Sequence, residues 1–252
     1  MELTITPIGT GNAFTRTGFE TNYLVRCGKT SLLIDCGTTA ERALAEIDLS
    51  FTDIDRVYIS HLHLDHVGGL PGLAVMRYLQ KRERPEILLH EDLHGEIWDG
   101  FLKTFLGHYL DREGTGQKAD RNTFFSWQSL RTKSEAPVRV GDLSLRLVRV
   151  EHVPGMTSHG LVLNEIVFIT TDTVFSPDIL ESLANRFNLQ AIFHDCSFSE
   201  TRRHLHSTYQ ELRTLPQDLK DLLILTHYED EFVGRDDVEI TLGQAGRSYT
   251  FS

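Results

Sequence analysis

The sequence predicts an α/β protein in which two β-sheets pack face to face between outer layers of helices, a four-layer αββα sandwich. Two observations predict this fold. Short apolar runs bounded by glycine, asparagine and charged turns recur in both halves of the chain, and segments with helical spacing of apolar residues lie among them. A sheet that buries one face on another sheet and one under helices fits this pattern, and 252 residues suit one domain, residues 1–252.

In the first half, apolar runs predict four strands and two helices. The strands are expected at Leu3–Ile8, Tyr23–Val25, Ser31–Asp35 and Val57–Ser60. The helices are expected at Thr39–Ile47 and Leu70–Leu79, where alanine, leucine and isoleucine recur at helical spacing. Gly68 and Gly69 should permit the tight backbone from which the second helix starts.

The second half repeats this pattern with five strands and two helices. The strands are expected at Leu143–Val150, Gly160–Leu163, Ile166–Thr170, Ala191–His194 and Leu222–Leu225. The helices are expected at Pro177–Arg186 and Ser207–Leu215. Strand clusters in both halves favour two sheets rather than one.

An aromatic-rich insertion at about residues 98–135 interrupts this rhythm. Seven of the 23 aromatic residues fall within 30 positions there, around the polar stretch 111–122. Trp98, Phe101, Phe105 and Tyr109 predict an aromatic stripe along one helix. Such a stripe would pack on the chain's own core, cover a pocket as a lid, or contact a second copy of the chain, and the sequence leaves these alternatives open.

Composition and charge limit the class of protein. A chain that is 40% hydrophobic and 24% charged has the makeup of a soluble globular protein, and its net charge of -11 argues against extended nucleic acid as a partner. The opening MELTITPIG lacks the features of a signal peptide and no run approaches a membrane span, so we expect a cytoplasmic protein without a membrane partner. Cys27, Cys36 and Cys196 are odd in number and widely spaced, which predicts reduced core thiols.

Three histidines and one aspartate cluster in the run HLHLDH, from His61 to His66. The run directly follows the predicted strand Val57–Ser60, and open α/β folds bind ligands at the carboxyl ends of strands. Buried imidazoles and carboxylates each need a partner, so this cluster is unsuited to an ordinary core. These groups are ligands of zinc and similar ions, and the alternation directs His61 and His63 to one ion, and Asp65 and His66 to a second.

Two metal sites need further ligands, and three candidates follow predicted strands. His152 comes after the strand that ends at Val150, Asp172 after the strand that ends at Thr170, and His227 after the strand that ends near Leu225. A lone histidine beside a strand is more often structural than a ligand. The ordered recurrence of these residues after strands is what favours a metal centre.

Taken in order, HLHLDH, the isolated His152, TTDT around Asp172 and LTHY around His227 resemble the metal motifs of the metallo-β-lactamase superfamily. The resemblance spans most of the chain and implies two Zn²⁺ ions, with Mn²⁺ or Fe²⁺ also accepted by this ligand set. It implies that the first ion takes His61, His63, His152 and Asp172. It implies that the second takes Asp65, His66, Asp172 and His227, so that Asp172 bridges.

The stretches IGTGNAF, LLIDCG, HVGGLPGL and HDCSFSE followed by HST resemble the ribonuclease Z and phosphodiesterase branch of that superfamily. The resemblance implies a catalytic pair made by Asp195 and His206, with His206 protonating the leaving oxygen. Asp65 joins this pair among the expected catalytic residues. The nucleophile implied is a hydroxide bridging the two metals.

The substrate implied is a small phosphodiester. Ribonuclease Z carries an arm for transfer RNA between the third-motif histidine and the bridging aspartate, whereas only residues 153–171 separate His152 from Asp172 here. HSTYQEL and HYED also resemble stretches of cyclic-nucleotide phosphodiesterases that include the anti-Pycsar proteins, which implies 3′,5′-cyclic nucleotides, cyclic pyrimidine nucleotides among them, and a homodimer. The alternatives are a transfer RNA 3′ endonuclease, another hydrolase of this fold, and an inactive binding module.

Overall fold

Two β-sheets pack face to face in the computed structural model of the protein, which describes residues 1–132, 136–202 and 204–252. Within these residues each sheet has seven strands. In spatial order the first sheet contains β16 (Tyr249–Phe251), β1 (Leu3–Gly9), β2 (Asn22–Cys27), β3 (Thr30–Ile34), β4 (Arg56–Ile59), β5 (Glu86–His90) and β8 (Ser126–Leu130). The second contains β15 (Thr241–Leu242), β14 (Leu223–Thr226), β13 (Ala191–Asp195), β12 (Val167–Ile169), β11 (His159–Leu163), β10 (Leu143–Arg149) and β9 (Val138–Val140).

Each sheet has an antiparallel part and a parallel part. In the first sheet β3, β4, β5 and β8 run parallel, and in the second β12, β13, β14 and β15 do so. The carboxyl ends of parallel strands lie at the same edge of a sheet, where ligands bind in such folds. The residues that follow β4, β12 and β14 therefore come together at one edge of the sandwich.

Three apolar clusters confirm the four-layer arrangement. The middle cluster joins the facing sides of the two sheets, with Leu3, Ile5 and Val25 from the first and Leu161 and Phe193 from the second. The other two lie between each sheet and its covering helices. Each fully buried leucine, isoleucine, valine or phenylalanine contributes roughly 1.5–3 kcal/mol to folding, so these three clusters hold the layers together.

The helices cover the outer faces of the sheets. They are α1 (Ala40–Ala45), α2 (Leu64–Val67), α3 (Leu70–Leu79), α4 (Leu93–Gly95), α5 (Lys103–Leu106), α6 (Arg121–Phe124), α7 (Pro177–Arg186), α8 (Tyr209–Leu212) and α9 (Gln217–Lys220). The bounds of α3 and α7 agree with the prediction, whereas α1 is shorter than predicted. The predicted helix Ser207–Leu215 is wrong at both ends, since α8 spans Tyr209–Leu212. At its start the Thr208 hydroxyl accepts from the amide of Glu211 and caps the helix.

The aromatic stripe predicted along one helix is only partly present. Trp98, Phe101 and Phe105 lie on one helical segment, in which a π-helical stretch (Glu96–Leu102) joins α4 to α5. Tyr109 lies instead on a short hairpin of β6 (His108–Leu110) and β7 (Gly116–Lys118), because the helix ends at Gly107. The insertion also contributes β8 to the first sheet, and its last predicted positions, 133–135, lie outside the described residues.

The cysteine prediction is confirmed, since Cys27, Cys36 and Cys196 are all buried and unpaired thiols. Burial raises the pKa of Cys36 and Cys196 well above the usual value for a thiol, so both are held in the unreactive protonated form. None of the helices in the described part of the chain has the length and apolarity that crossing a bilayer requires.

Candidate metal centre

The candidate site lies where strands of both sheets end. The HLHLDH run connects β4 to α2 and α3, His152 follows β10, Asp172 follows β12, Asp195 ends β13, and His227 follows β14. Three of the residues at these strand ends have left-handed backbone conformations: Asp35 with φ 60°, Thr171 with φ 55° and His227 with φ 65°. This conformation is unfavourable for residues other than glycine, and above all for a β-branched threonine. Here it turns the chain sharply so that the adjacent side chains point into one pocket.

The first cluster of donor atoms contains His61, His63, His152 and Asp172. The Nδ1 atom of His63 lies 3.1 Å from Nε2 of His61 and 3.1 Å from Nε2 of His152. Oδ2 of Asp172 lies 3.9 Å and 3.7 Å from the same two Nε2 atoms. One proton cannot satisfy three ring nitrogens that converge on one point, whereas a metal ion takes all three lone pairs.

The second cluster contains Asp65, His66, Asp172 and His227. Nε2 of His66 lies 3.2 Å from Oδ1 of Asp172, and Nε2 of His227 lies 3.4 Å from its Oδ2. Oδ2 of Asp65 lies 3.3 Å from both of these nitrogens. Asp172 is thus shared by the two clusters, and all seven side chains that the sequence nominated as ligands lie in one pocket.

Neighbouring groups orient the imidazoles of His61, His66 and His152 so that Nε2 faces the pocket. Nδ1 of His66 donates to Asp35 over 2.7 Å, and Nδ1 of His152 donates to the carbonyl of Leu205 over 2.6 Å. Nδ1 of His61 donates to the Ser60 hydroxyl over 3.0 Å, since that hydroxyl itself donates to Asp35. Hydrogen bonds of this kind fix the tautomer of metal-binding histidines and raise the basicity of the other ring nitrogen.

The electrostatics of the pocket also favour a bound cation. Burial by itself lowers the pKa of His66 and His227, but Asp172 and the other nearby carboxylates together outweigh it and raise both pKa values well above the usual value. Burial raises the pKa of Asp172, but the nearby imidazoles of His227 and His66 reverse this and hold it well below its usual range. Nε2 of His66 is fully buried and has no hydrogen-bond partner in suitable geometry within the described part of the chain. The pocket therefore favours the binding of positive charge. The donor set fits divalent metal ions, which displace protons when they bind.

Asp35 is a positioning residue that the sequence analysis did not single out. Its Oδ1 accepts from the Ser60 amide over 2.8 Å, and its Oδ2 accepts from both the Ser60 hydroxyl and His66. It stands in the LLIDCG stretch, at the carboxyl end of β3 beside β4. That placement was the available signal, because neighbouring parallel strands deliver their following residues to the same point.

We expect Asp35→Asn to weaken metal binding by roughly 10- to 100-fold while the protein stays folded, because the single oxygen of the amide cannot accept from both the Ser60 amide and His66. Competition with a chromophoric chelator measures the affinity. Asp99→Asn is the matched control, because Asp99 is exposed and its ion-pair partner among the described residues is Lys103, four residues along the helix. An affinity equal to that of wild type in Asp35→Asn would contradict the role of Asp35.

Glycine is required at Gly37 and Gly69 by close approach rather than by backbone conformation. The backbone at Gly68 and Gly69 is tight, as predicted, but both have ordinary helical φ values of -63° and -82°, so the tightness comes from close approach. A Cβ atom on Gly37 would lie 2.0 Å from the carbonyl oxygen of Asp65, and one on Gly69 would lie 2.4 Å from the carbonyl oxygen of Gly37. The loop after β3 and the HLHLDH turn therefore pack backbone to backbone.

We expect Gly37→Ala to force these two segments apart, at about 1–3 kcal/mol of stability and a fall in Tm of roughly 2–12 °C. It should also lower the bound metal, because Asp65 and His66 move. Thermal unfolding and elemental analysis test both effects. The matched control is Gly100→Ala, since a Cβ there meets nothing within 4 Å; equal behaviour of the two variants would show that the close approach is unimportant.

Asp195 and His206, the pair expected to act on the leaving group, are also in contact. Nδ1 of His206 donates to Oδ2 of Asp195 over 2.9 Å, and Oδ1 of Asp195 lies 3.4 Å from Nδ1 of His227. Burial lowers the pKa of His206, but the charge of Asp195 and their hydrogen bond outweigh it, so the pKa is raised. His204, expected at the surface, is exposed.

A cavity of about 520 Å³ opens above these residues. His63, Asp65, His152, Asp172, His206 and His227 form its floor, and Phe14, Leu64, Val153, Arg202 and Leu205 lie along its walls. The size is in the range of small-molecule sites, which is roughly 300–1,000 Å³. None of the described residues of the aromatic insertion lines it, so within one chain the insertion does not form a lid.

Comparison with known proteins agrees with this fold and site. The family model "Anti-Pycsar protein Apyc1" matches residues 3–247. A relative of that name from Paenibacillus xerothermodurans is 34% identical over 255 residues, covering 100% of this chain and 99% of the relative. Another, from Paenibacillus sp. (strain J14), is 35% identical over 231 residues, covering 92% and 91%.

Among solved structures, the metallo-β-lactamase fold protein YhfI from Bacillus subtilis superposes with a TM-score of 0.77 at 17% identity, covering 100% of both chains. At this identity the likeness establishes the fold. The resemblance inferred from the sequence motifs is confirmed both for the fold and for the family. The chain has the metallo-β-lactamase fold and belongs to the family of the anti-Pycsar protein Apyc1.

Proposed function

We propose that the protein is a dinuclear metal-dependent phosphodiesterase that hydrolyses small phosphodiesters, above all 3′,5′-cyclic nucleotides, with cyclic pyrimidine nucleotides among them. The observation that carries the proposal is the sharing of Asp172 between two ligand clusters that lie beside the Asp195–His206 pair. Relatives with at least 34% identity are named for opposing Pycsar, which is consistent with such a substrate.

The ligand set suits two Zn²⁺ ions, held by His61, His63, His152 and Asp172 on one side and by Asp65, His66, Asp172 and His227 on the other. Mn²⁺ or Fe²⁺ fits the same nitrogen and oxygen donors. When bound, such ions lower the pKa of water and stabilise charge that develops on a phosphoryl group.

Two residues of the chain, His206 and Asp195, would supply the proton that the leaving group needs. Because Nδ1 of His206 is held by Asp195, Nε2 is the ring nitrogen available to a substrate in the cavity. Asp195 keeps the imidazole in one orientation and favours its protonated form. His206 can then give a proton to the ribose oxygen that leaves, which contributes roughly 10²–10⁴ in rate.

The cavity also bears on the size and charge of the substrate. Among the described residues that line it, Arg202 is the one with a permanent positive charge, and the whole chain carries a net charge of -11. Binding of structured RNA depends on clustered lysine and arginine along the phosphate backbone. A compact diester therefore suits the site better than a transfer RNA precursor.

The test is a panel of 3′,5′-cyclic mononucleotides, cyclic dinucleotides, bis(p-nitrophenyl) phosphate and precursor transfer RNA, incubated with the protein and Zn²⁺ or Mn²⁺. We expect linearisation of cyclic mononucleotides and no cleavage of the RNA. If every 3′,5′-cyclic nucleotide stays intact, the proposal is wrong. Cleavage of the RNA alone would point to a transfer RNA endonuclease, and inactivity together with less than one metal ion per chain to a binding module.

We further propose that two copies of the chain associate through the apolar surface made by α3, α5 and the β6–β7 hairpin. Leu79, Phe105 and Leu110 on these elements are 70%, 59% and 64% exposed. Tyr78 links the elements, since its hydroxyl donates to the carbonyl of Leu110 and its ring packs on Tyr109. Sedimentation should show a dimer that Leu79→Glu converts to a monomer; a monomeric wild type would overturn this.

A further inference from the structure

Phe14 occupies an unusual position at the mouth of the cavity. Its side chain lines the cavity but is 73% exposed, beside Leu64 and Leu205, which are 60% and 41% exposed. A solitary exposed leucine needs no explanation, but three large apolar side chains around the entrance to a polar site form an apolar surface for a ligand.

The loop that carries Phe14 is held in place from outside the cavity. The Asp230 carboxylate accepts from the amides of Arg16 and Thr17, over 2.7 Å and 3.1 Å, and from the Thr15 hydroxyl. The amide of Phe14 itself donates to the Asn12 side chain over 2.9 Å. Asp230 stands three residues after the candidate ligand His227, so the position of Phe14 is tied to the metal centre.

Arg202 lies against the Phe14 ring, with its guanidinium carbon 5.2 Å from the ring centroid. It too lines the cavity, and no carboxylate of the described residues forms an ion pair with it. An arginine over one face of an aromatic ring restrains the ring through a cation–π interaction. Phe14 is nevertheless 73% exposed, which leaves ring surface for a second planar group.

We infer that Phe14 is a substrate-binding residue that stacks on the nucleobase of a phosphodiester whose phosphate lies at the cavity floor, with Arg202 as the positioning residue for its ring. This inference rests on the proposed phosphodiesterase function and adds the recognition of the base to it. A flat apolar ring is well suited to this role, because bases stack readily on aromatic side chains. The pocket floor offers histidines and carboxylates, which act on the phosphate and not on a base.

The experiment compares a 3′,5′-cyclic nucleotide with the 3′,5′-cyclic phosphate of 1-O-methylribose, which lacks a base. The measured quantity is the ratio of kcat/KM for the nucleotide to kcat/KM for the baseless diester. We expect Phe14→Ala to lower this ratio by roughly 5- to 150-fold, mainly through KM, as the loss of one stacked base predicts. Phe14→Leu is the matched control for apolar volume and should lower it similarly, whereas Phe14→Tyr should preserve it.

Arg202 is tested in the same assay. Arg202→Ala should lower the ratio less than Phe14→Ala does, and Arg202→Lys should restore part of the loss, because a lysine also interacts with a ring face. Equal losses on both substrates in the Phe14 variants, or full activity of Phe14→Leu, would overturn the inference while leaving the phosphodiesterase proposal intact.

If wild type cleaves neither diester, the phosphodiesterase proposal fails, and the inference is then tested by binding. Calorimetric titration of the metal-loaded protein with a nucleoside 5′-monophosphate and with ribose 5-phosphate measures the contribution of the base. Tighter binding of the nucleotide that Phe14→Ala abolishes would support stacking. Equal binding of the two compounds would overturn it.

Discussion

Asp172→Ala is expected to remove both metal ions and to lower kcat/KM by at least about a thousandfold. Oxygen atoms of Asp172 lie within 3.9 Å of the Nε2 atoms of His61, His66, His152 and His227, so one substitution affects both clusters. Metal ions contribute several kcal/mol of charge stabilisation, and each 1.36 kcal/mol is a factor of about ten in rate. Elemental analysis after gentle purification and hydrolysis of a cyclic nucleotide measure the two effects.

Circular dichroism should show that Asp172→Ala is folded, since the three apolar clusters do not include this residue. Asp99→Ala is the matched control, because it removes an exposed carboxylate that belongs to neither ligand cluster and does not line the cavity. Retention of two ions per chain in a folded Asp172→Ala protein would rule out the shared ligand. Retention of metal with loss of activity would instead give Asp172 a role in the chemistry alone.

His206→Gln is expected to lower kcat for a cyclic nucleotide by roughly 10²–10⁴ without loss of metal, because it removes the proton donor for the leaving alkoxide. The effect should depend on the leaving group. A p-nitrophenolate departs readily without a proton, so hydrolysis of bis(p-nitrophenyl) phosphate should fall much less. Comparing the two substrates therefore separates proton donation from general damage to the site.

His204→Gln is the matched control for His206→Gln, since His204 is two residues away and exposed. It should behave like wild type on both substrates. If His206→Gln slows both substrates equally, His206 supports the geometry of the site and does not act as the acid. Full activity on the cyclic nucleotide would exclude any catalytic role and would favour the other hydrolases of this fold.

Asp195 connects His206 to the candidate metal ligands. Its Oδ2 accepts from His206 and from the amide of Thr173, next to Asp172, each over 2.9 Å. Its Oδ1 lies 3.4 Å from Nδ1 of His227. This sharing explains why an aspartate at the end of β13 is buried, since a buried carboxylate needs several donors. Asp195 therefore fixes the position of His206 relative to the candidate ligands His227 and Asp172.

Much of the candidate site was predictable because its residues follow strands. His61, His152, Asp172 and His227 each come after an apolar run, and the carboxyl ends of strands are where such folds bind ligands. Asp35, Phe14 and Arg202 were not singled out, since none belongs to a histidine-rich motif. Their roles depend on residues far away in the chain. Asp35 accepts from His66, and Phe14 lines a cavity whose other residues come from distant segments.

By itself, the sequence predicted the fold class, the seven candidate ligands and the buried thiols, because apolar periodicity and short motifs are local properties of the chain. The Asp195–His206 pair was implied by the resemblance to known phosphodiesterases. Only the tertiary structure decided which atoms face one another. It placed Asp172 between the two clusters, assigned the Nδ1 atoms to their acceptors, and showed that Gly37 and Gly69 are needed for close packing. It also placed the insertion on the first sheet and Phe14 at the cavity. These outcomes depend on distances between segments remote in sequence, which no local pattern encodes.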